Sequence, residues 1–157
     1  MKLSSLSRRS FMAGTAAGAA ALSAPAILSA QSDEYIIGAS LPLTGPFATA
    51  GQLVAPALKY VEYSTNVTGG IGGKQVKIIS EDSGYVPQNA LANYQRALST
   101  YGKDMIGYFG DSTGFMKLVA PELKGDSARI MPSTSFASEL ADPENNPYQF
   151  LAGPSYE

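Results

Sequence analysis

The chain has no histidine and no cysteine among its 157 residues. Those two absences remove the usual partners of a nucleophilic serine at the outset. Gly110-Asp111-Ser112-Thr113-Gly114 spells G-x-S-x-G between an apolar run and a helical pattern, the setting of a hydrolase nucleophile. A serine of that kind needs a base, usually His, to take its proton. The chain supplies none, and no second Ser and Lys form a recognisable dyad. Lack of cysteine also excludes a disulfide framework and a lipid attachment site. After residue 31 no run is long and apolar enough to span a bilayer. Basic residues are scarce, 11 Lys and Arg against 13 Asp and Glu. Nucleic acid and anionic lipid both demand basic patches, so neither is expected as a partner.

What is present begins with an export pattern. Residues 1–30 have a basic start, an Ala/Gly-rich apolar middle and the helix breaker Pro25. Within them Ser7-Arg8-Arg9-Ser10-Phe11-Met12 matches the twin-arginine consensus, so Arg8 and Arg9 are expected to engage that export machinery. Gly14 and Gly18 interrupt the apolar stretch and make it a poor anchor. Cleavage is expected after Ala30, with Ala26 as the alternative. The product is a soluble periplasmic domain of about 127 residues, enough for one core. It keeps eight basic residues against thirteen acidic ones, a net charge of −5.

From Glu34 the pattern alternates. EYIIGASL reads as a strand ending at Leu41. Leu53, Val54, Ala57, Leu58 and Val61 recur at helical spacing, up to the glycine-rich stop NVTGGIGG. Pro56 sits in the first turn of that helix or kinks it. KQVKIISED reads as a second strand, and Pro87 opens a helix with Leu91, Tyr94, Leu98 and Tyr101 on one face. DMIGYFG is a third strand, TGFMKLVAPELK a short third helix, ARIMPSTS a fourth strand with its loop, FASEL a helical turn and PYQFLAG a fifth strand. Strands alternating with helices predict an α/β fold, a parallel sheet with helices on both faces.

Ligands of such sheets bind at the carboxyl ends of the strands. That rule selects four loops: PLTGPFATAG, EDSGYVPQ, GDSTGF and PSTSFAS. They are rich in hydroxyls and small residues, which together with N–H groups at helix starts suit an anionic group such as a carboxylate. Phe47, Tyr85 and Phe136 are placed to form an apolar wall.

Together these segments resemble the solute-binding proteins of branched-chain-amino-acid-type ABC transporters, which have the type I periplasmic binding fold. IIGASLPLTGPFATAG looks like that family's first strand and Gly-Pro loop. GGIGGKQVKIISEDSGYVPQNA looks like the turn, second strand, loop and helix start that follow. STGFMKLVAP and STSFASEL resemble its third and fourth ligand loops, and NPYQFLAGPSYE its run into the hinge. The resemblance implies capture of a small carboxylate-bearing solute, an amino acid or related acid or amide, with delivery to ABC permease subunits in the inner membrane and no cofactor. It places the carboxylate on Ser112, Thr113, Gly114, Ser133 and Ser135, with side chains contributed near Phe47 or Ala50 and from Tyr85. It also implies a second lobe, so residues 31–157 read as the first lobe up to the crossover, behind a signal over residues 1–30.

Other readings stand beside these. Ser112 and Thr113 at a strand-to-helix junction also read as helix caps, and Phe47 and Tyr85 as seals on the core. Asp111 reads as a solvated loop residue. Glu81 and Asp82 at a strand end could hold a metal, but an Asx-type turn is favoured. GGIGGK leads into a strand without a following Ser or Thr, so it is a turn and not a phosphate loop. A ligand-sensing domain of the same fold and an exported hydrolase using Ser112 are the alternatives.

Overall fold

A computed structural model describes residues 34–156. The export signal expected over residues 1–30, with Arg8, Arg9 and both cleavage sites, lies outside the described residues. The first strand, β1 (Glu34–Leu41), is apolar and pairs in parallel with β2 (Gln75–Asp82) along its whole length. On its other side it pairs in parallel with β3 (Met105–Phe109), across an irregularity between Ile36 and Ile37. Two short strands, β4 (Met131–Ser133) and β5 (Gln149–Leu151), form a further parallel pair. Parallel bridges from Gly107 to Ile130 and from Gly110 to Ser133 join β3 to β4. The strands therefore run in the order β2-β1-β3-β4-β5, and the parallel α/β architecture expected from the alternation is present.

Three helices connect the strands. The first, α1 (Ala48–Val67), is 20 residues long and carries Pro56 in its interior rather than in its first turn. The second, α2 (Pro87–Tyr101), begins with Pro87 in its first turn, where a missing N–H costs nothing. It ends at Gly102, whose φ of +51° suits a residue without a Cβ. The third, α3 (Thr113–Val119), has Ser112 as its N-cap and is shorter than its sequence pattern suggests. Pro121 lies in a 3₁₀ turn, Ala120–Glu122, that closes it. The FASEL turn is a 3₁₀ helix over Ser138–Ala141. Strands four and five are also shorter than expected, three residues each.

One face of the sheet is covered by α2 and α3. Ala90, Tyr94 and Ala97 of α2 pack with Phe115, Met116 and Val119 of α3 over Ile36, Met105, Tyr108 and Met131. Burying each of the large apolar side chains contributes about 1.5–3 kcal/mol. The Tyr94 and Tyr108 rings meet edge to face at 5.1 Å, and Tyr108 shares a 2.8 Å hydrogen bond with Ser40. Gly38 makes room for this arrangement, because a Cβ there would lie 2.3 Å from the Tyr108 ring. Leu91, Leu98 and Tyr101 also pack against this core, as their spacing predicts.

Of the residues that recur at helical spacing on α1, Leu53 is 71% exposed and Val61 50%, while Val54 and Leu58 are half-buried. The side of the helix that meets β2 also carries polar groups. Lys59 donates to the Ile78 carbonyl at 2.8 Å, Glu62 accepts from the Ile78 N–H, and Asn66 bonds both N–H and C=O of Val76 at 2.8 Å. These side chains satisfy the free edge of β2, and that pairing sets the rotation of the helix.

Candidate functional site

The four loops selected from sequence gather at the carboxyl ends of β1 to β4. Asp82, the last residue of β2, ties the first two together. Its Oδ1 accepts from the N–H groups of Leu43, Thr44 and Gly84 at 2.8–3.1 Å, and its Oδ2 from the Thr44 hydroxyl at 2.6 Å. The Thr44 hydroxyl and then the Gly84 N–H hold this carboxyl below its usual range. The Asx-type turn expected here is present. Beside it Tyr85 adopts φ +64°, a left-handed backbone that an aromatic residue rarely takes. That conformation sets its ring against Phe47, with centroids 4.1 Å apart.

The second loop meets the third through Ser83, whose hydroxyl donates to Asp111 Oδ2. The third meets the fourth twice. Thr134 donates from Oγ1 to the Asp111 carbonyl at 3.0 Å, and the Thr113 and Ser135 hydroxyls share a 2.7 Å bond. Between the loops lies a cleft of about 220 Å³, walled by Phe47, Tyr85, Phe109 and Phe136 with Leu41, Pro42, Ala50 and Val54. Asp111 and Thr134 are the polar side chains that line it.

The expected site residues fall into two groups. Phe47 and Tyr85 stand together on the cleft wall, 50% and 38% exposed. The hydroxyl residues form a layer beneath the surface. Ser112 is buried and accepts from the Phe115 N–H at 3.3 Å, as a cap. Ser133 is buried, and its hydroxyl receives the Ser135 N–H at 3.0 Å. Ser135 is buried as well and receives the Ala137 N–H at 3.3 Å. Thr113 is half-buried and Gly114 exposed. Gly114 packs so close to the start of α2 that a Cβ would lie 2.7 Å from Pro87 Cγ.

Asp111 departs from its reading as a solvated loop residue. It is only 7% exposed, because the chain turns inward between the end of β3 and the cap at Ser112. Burial raises its carboxyl above the ordinary range, and the Ser83 and Ser112 hydroxyls act in the opposite direction. Its Oδ1 has no hydrogen-bond partner. The sequence placed Asp111 inside the G-x-S-x-G pattern, but its contact with Ser83, 28 residues away, is a tertiary fact. Phe109 and Thr134 also line the cleft without having been singled out.

A larger cavity of about 370 Å³ lies between Leu123 and the Glu144–Gln149 segment. It adjoins the amino end of β5, the opposite end of that strand from the four loops. Among the described residues no group of three or more acidic side chains is placed to hold a metal ion. No described helix is long and apolar enough to cross a membrane.

A family model described as periplasmic binding protein matches residues 34–157. No curated protein matches the chain by sequence. Among solved structures, it is similar to a branched-chain amino acid ABC transporter protein from Thermus thermophilus with bound valine, at TM-score 0.68 and 23% identity over 80% of this chain and 32% of that one. A solute-binding protein of an ABC transporter from Rhodopseudomonas palustris, in complex with 3,4-dihydroxybenzoic acid, gives TM-score 0.64 and 19% identity over 78% and 32%. A fatty acid ABC transporter substrate-binding protein from Thermomonospora curvata gives 0.65 and 18% over 78% and 30%. At these identities the likeness is one of fold. The chain spans about a third of the length of each.

Proposed function

The chain belongs to the periplasmic binding protein family, and on that footing we propose that it is the solute-binding component of an ABC importer. It captures a small carboxylate-bearing solute, an amino acid or a related acid or amide, and delivers it to permease subunits. Export through Arg8 and Arg9 takes it to the periplasm, where it works as a soluble protein. Residues 31–157 form its first ligand-binding lobe.

The observation that carries this reading is the cleft at the strand ends, walled by Phe47, Tyr85 and Phe136 and lined by Asp111 and Thr134, whose two loops are joined by the Thr113–Ser135 hydroxyl bond. The solute's apolar part lies against the rings. Its carboxylate lies toward Thr113, Gly114 and Ser135, with Ser112 and Ser133 bracing the two loops from below. No covalent step is involved. Ser112 already accepts from Phe115 N–H, and the chain holds no histidine to activate it. The similar structures include one with bound valine, one in complex with 3,4-dihydroxybenzoic acid and a fatty acid ABC transporter substrate-binding protein, a range that suits a versatile cleft.

Thermal unfolding of the 157-residue chain against branched-chain and aromatic amino acids, aromatic carboxylates, short amides and urea tests the proposal. A ligand at a hundred times its Kd adds about 2.7 kcal/mol of stability. One class of hits, weakened by Ser135→Ala, is the expected result. A flat panel from a well-folded chain overturns the reading.

A further inference from the structure

The cleft holds one feature that carboxylate capture leaves unused. Asp111 lines it, more than nine-tenths buried, and Oδ1 has no partner while Ser83 occupies Oδ2. A buried carboxylate oxygen without a donor is costly, and such an atom in a native structure calls for an explanation. The group it lacks is a hydrogen-bond donor. Around it stand four aromatic rings, Phe47, Tyr85, Phe109 and Phe136, which favour a flat apolar body. Tyr85 holds its place in this wall only through a left-handed backbone, a strain typical of ligand clamps.

We propose that this lobe selects solutes carrying a hydrogen-bond donor, an ammonium foremost, beside a ring-sized apolar group, with the donor received by Asp111. The inference rests on the solute-binding reading of the same cleft and deepens it. Charge decides the orientation. A carboxylate set against Asp111 is repelled, so the acid end of a zwitterion stays at the Thr113–Ser135 edge while its ammonium turns to Asp111. The preference for an amino group is thus built into the first lobe. Burial destabilises the charged form of Asp111, and a cation beside it offsets that penalty.

Calorimetric titration of the 157-residue chain with four probes tests this. L-phenylalanine offers an ammonium, 3-phenyllactate a hydroxyl, 3-phenylpropanoate no donor at that position, and L-alanine no ring. The expected order is phenylalanine, then phenyllactate, then phenylpropanoate, with the first at least about tenfold tighter than the last, the share of one charge-assisted hydrogen bond. Alanine binds weakest of the amino acids. The near-isosteric Asp111→Asn removes the advantage of ammonium over hydroxyl, and Ser83→Ala, which leaves Oδ1 in place, keeps it. Equal affinity of the unaltered chain for phenylalanine and phenylpropanoate overturns the inference without any variant. An unchanged ratio in folded Asp111→Asn also overturns it. If branched-chain amino acids bind while all four probes fail, solute binding stands and this inference falls. If nothing binds, both fall together.

Discussion

Ser112 is the residue at which two chemistries meet. As the N-cap of α3 it satisfies an orphan N–H, a contribution of about 1 kcal/mol. Urea unfolding of Ser112→Ala should show a loss near that size, and Ser112→Thr, which keeps the capping hydroxyl, should lose less. No loss would remove the capping role. Asp82 works differently, since it is exposed and yet gathers four hydrogen bonds from two loops. The Thr44 hydroxyl leads in holding its pKa below the ordinary value. A depressed carboxyl contributes stability in full above its unfolded pKa of about 4 and loses it as pH falls through the folded value. Hydrogen exchange in loops 42–51 and 83–88 should therefore quicken on acidification below that range, after correction for intrinsic rates. In Asp82→Asn the loops should already exchange faster at neutral pH, with little further change on acidification. A pH response as large as that of the unaltered chain would assign it to another group.

At the scale of elements, α1 shows how a helix can satisfy a sheet with its polar side. Lys59, Glu62 and Asn66 lie three and four residues apart, on one helical stripe. They supply donors and acceptors to Ile78 and Val76, where a neighbouring strand would otherwise pair. Such an edge is a template for association unless it is blocked. Asn66→Ala strips Val76 of both partners, and the expected cost is about 1 kcal/mol, since water reaches the edge and recovers part of the loss. Light scattering of Asn66→Ala at high concentration should report more self-association than the unaltered chain. An equally monodisperse variant would show that the edge needs no such guard. Leu53, Tyr60 and Tyr63 of the same helix are exposed among the described residues.

For the whole molecule, coverage of the sheet is uneven. The face under α2 and α3 holds the core, whereas Ile130 of the β3–β4 connection and Phe150 of β5 are 58% and 47% exposed. The described residues thus present the four strand-end loops at one end and apolar surface elsewhere. The proposed route to the periplasm makes its own prediction. Replacing Arg8 and Arg9 together by Lys should leave the folded protein in the cytoplasm, as fractionation and immunoblotting would show. Undiminished export of that variant would refute the twin-arginine route.

Periodicity alone determined the order of strands and helices, because a buried parallel strand and an amphipathic helix impose their spacings on neighbouring residues. β1 matches its sequence segment at both ends, and Pro87 marks the start of α2 as its fixed φ requires. The grouping of the four strand-end loops followed from one rule of α/β topology. Tertiary structure decided the rest, because it depended on partners far apart in sequence. Which side of α1 turns inward was set by hydrogen bonds to β2 that no helical pattern encodes. The contact of buried Asp111 with Ser83 joins residues 28 apart, and Phe47 meets Tyr85 at a left-handed turn that few aromatics enter. A hydroxyl beside a helix start announces itself in sequence; a carboxylate oxygen left without a donor exists only once the loops have met.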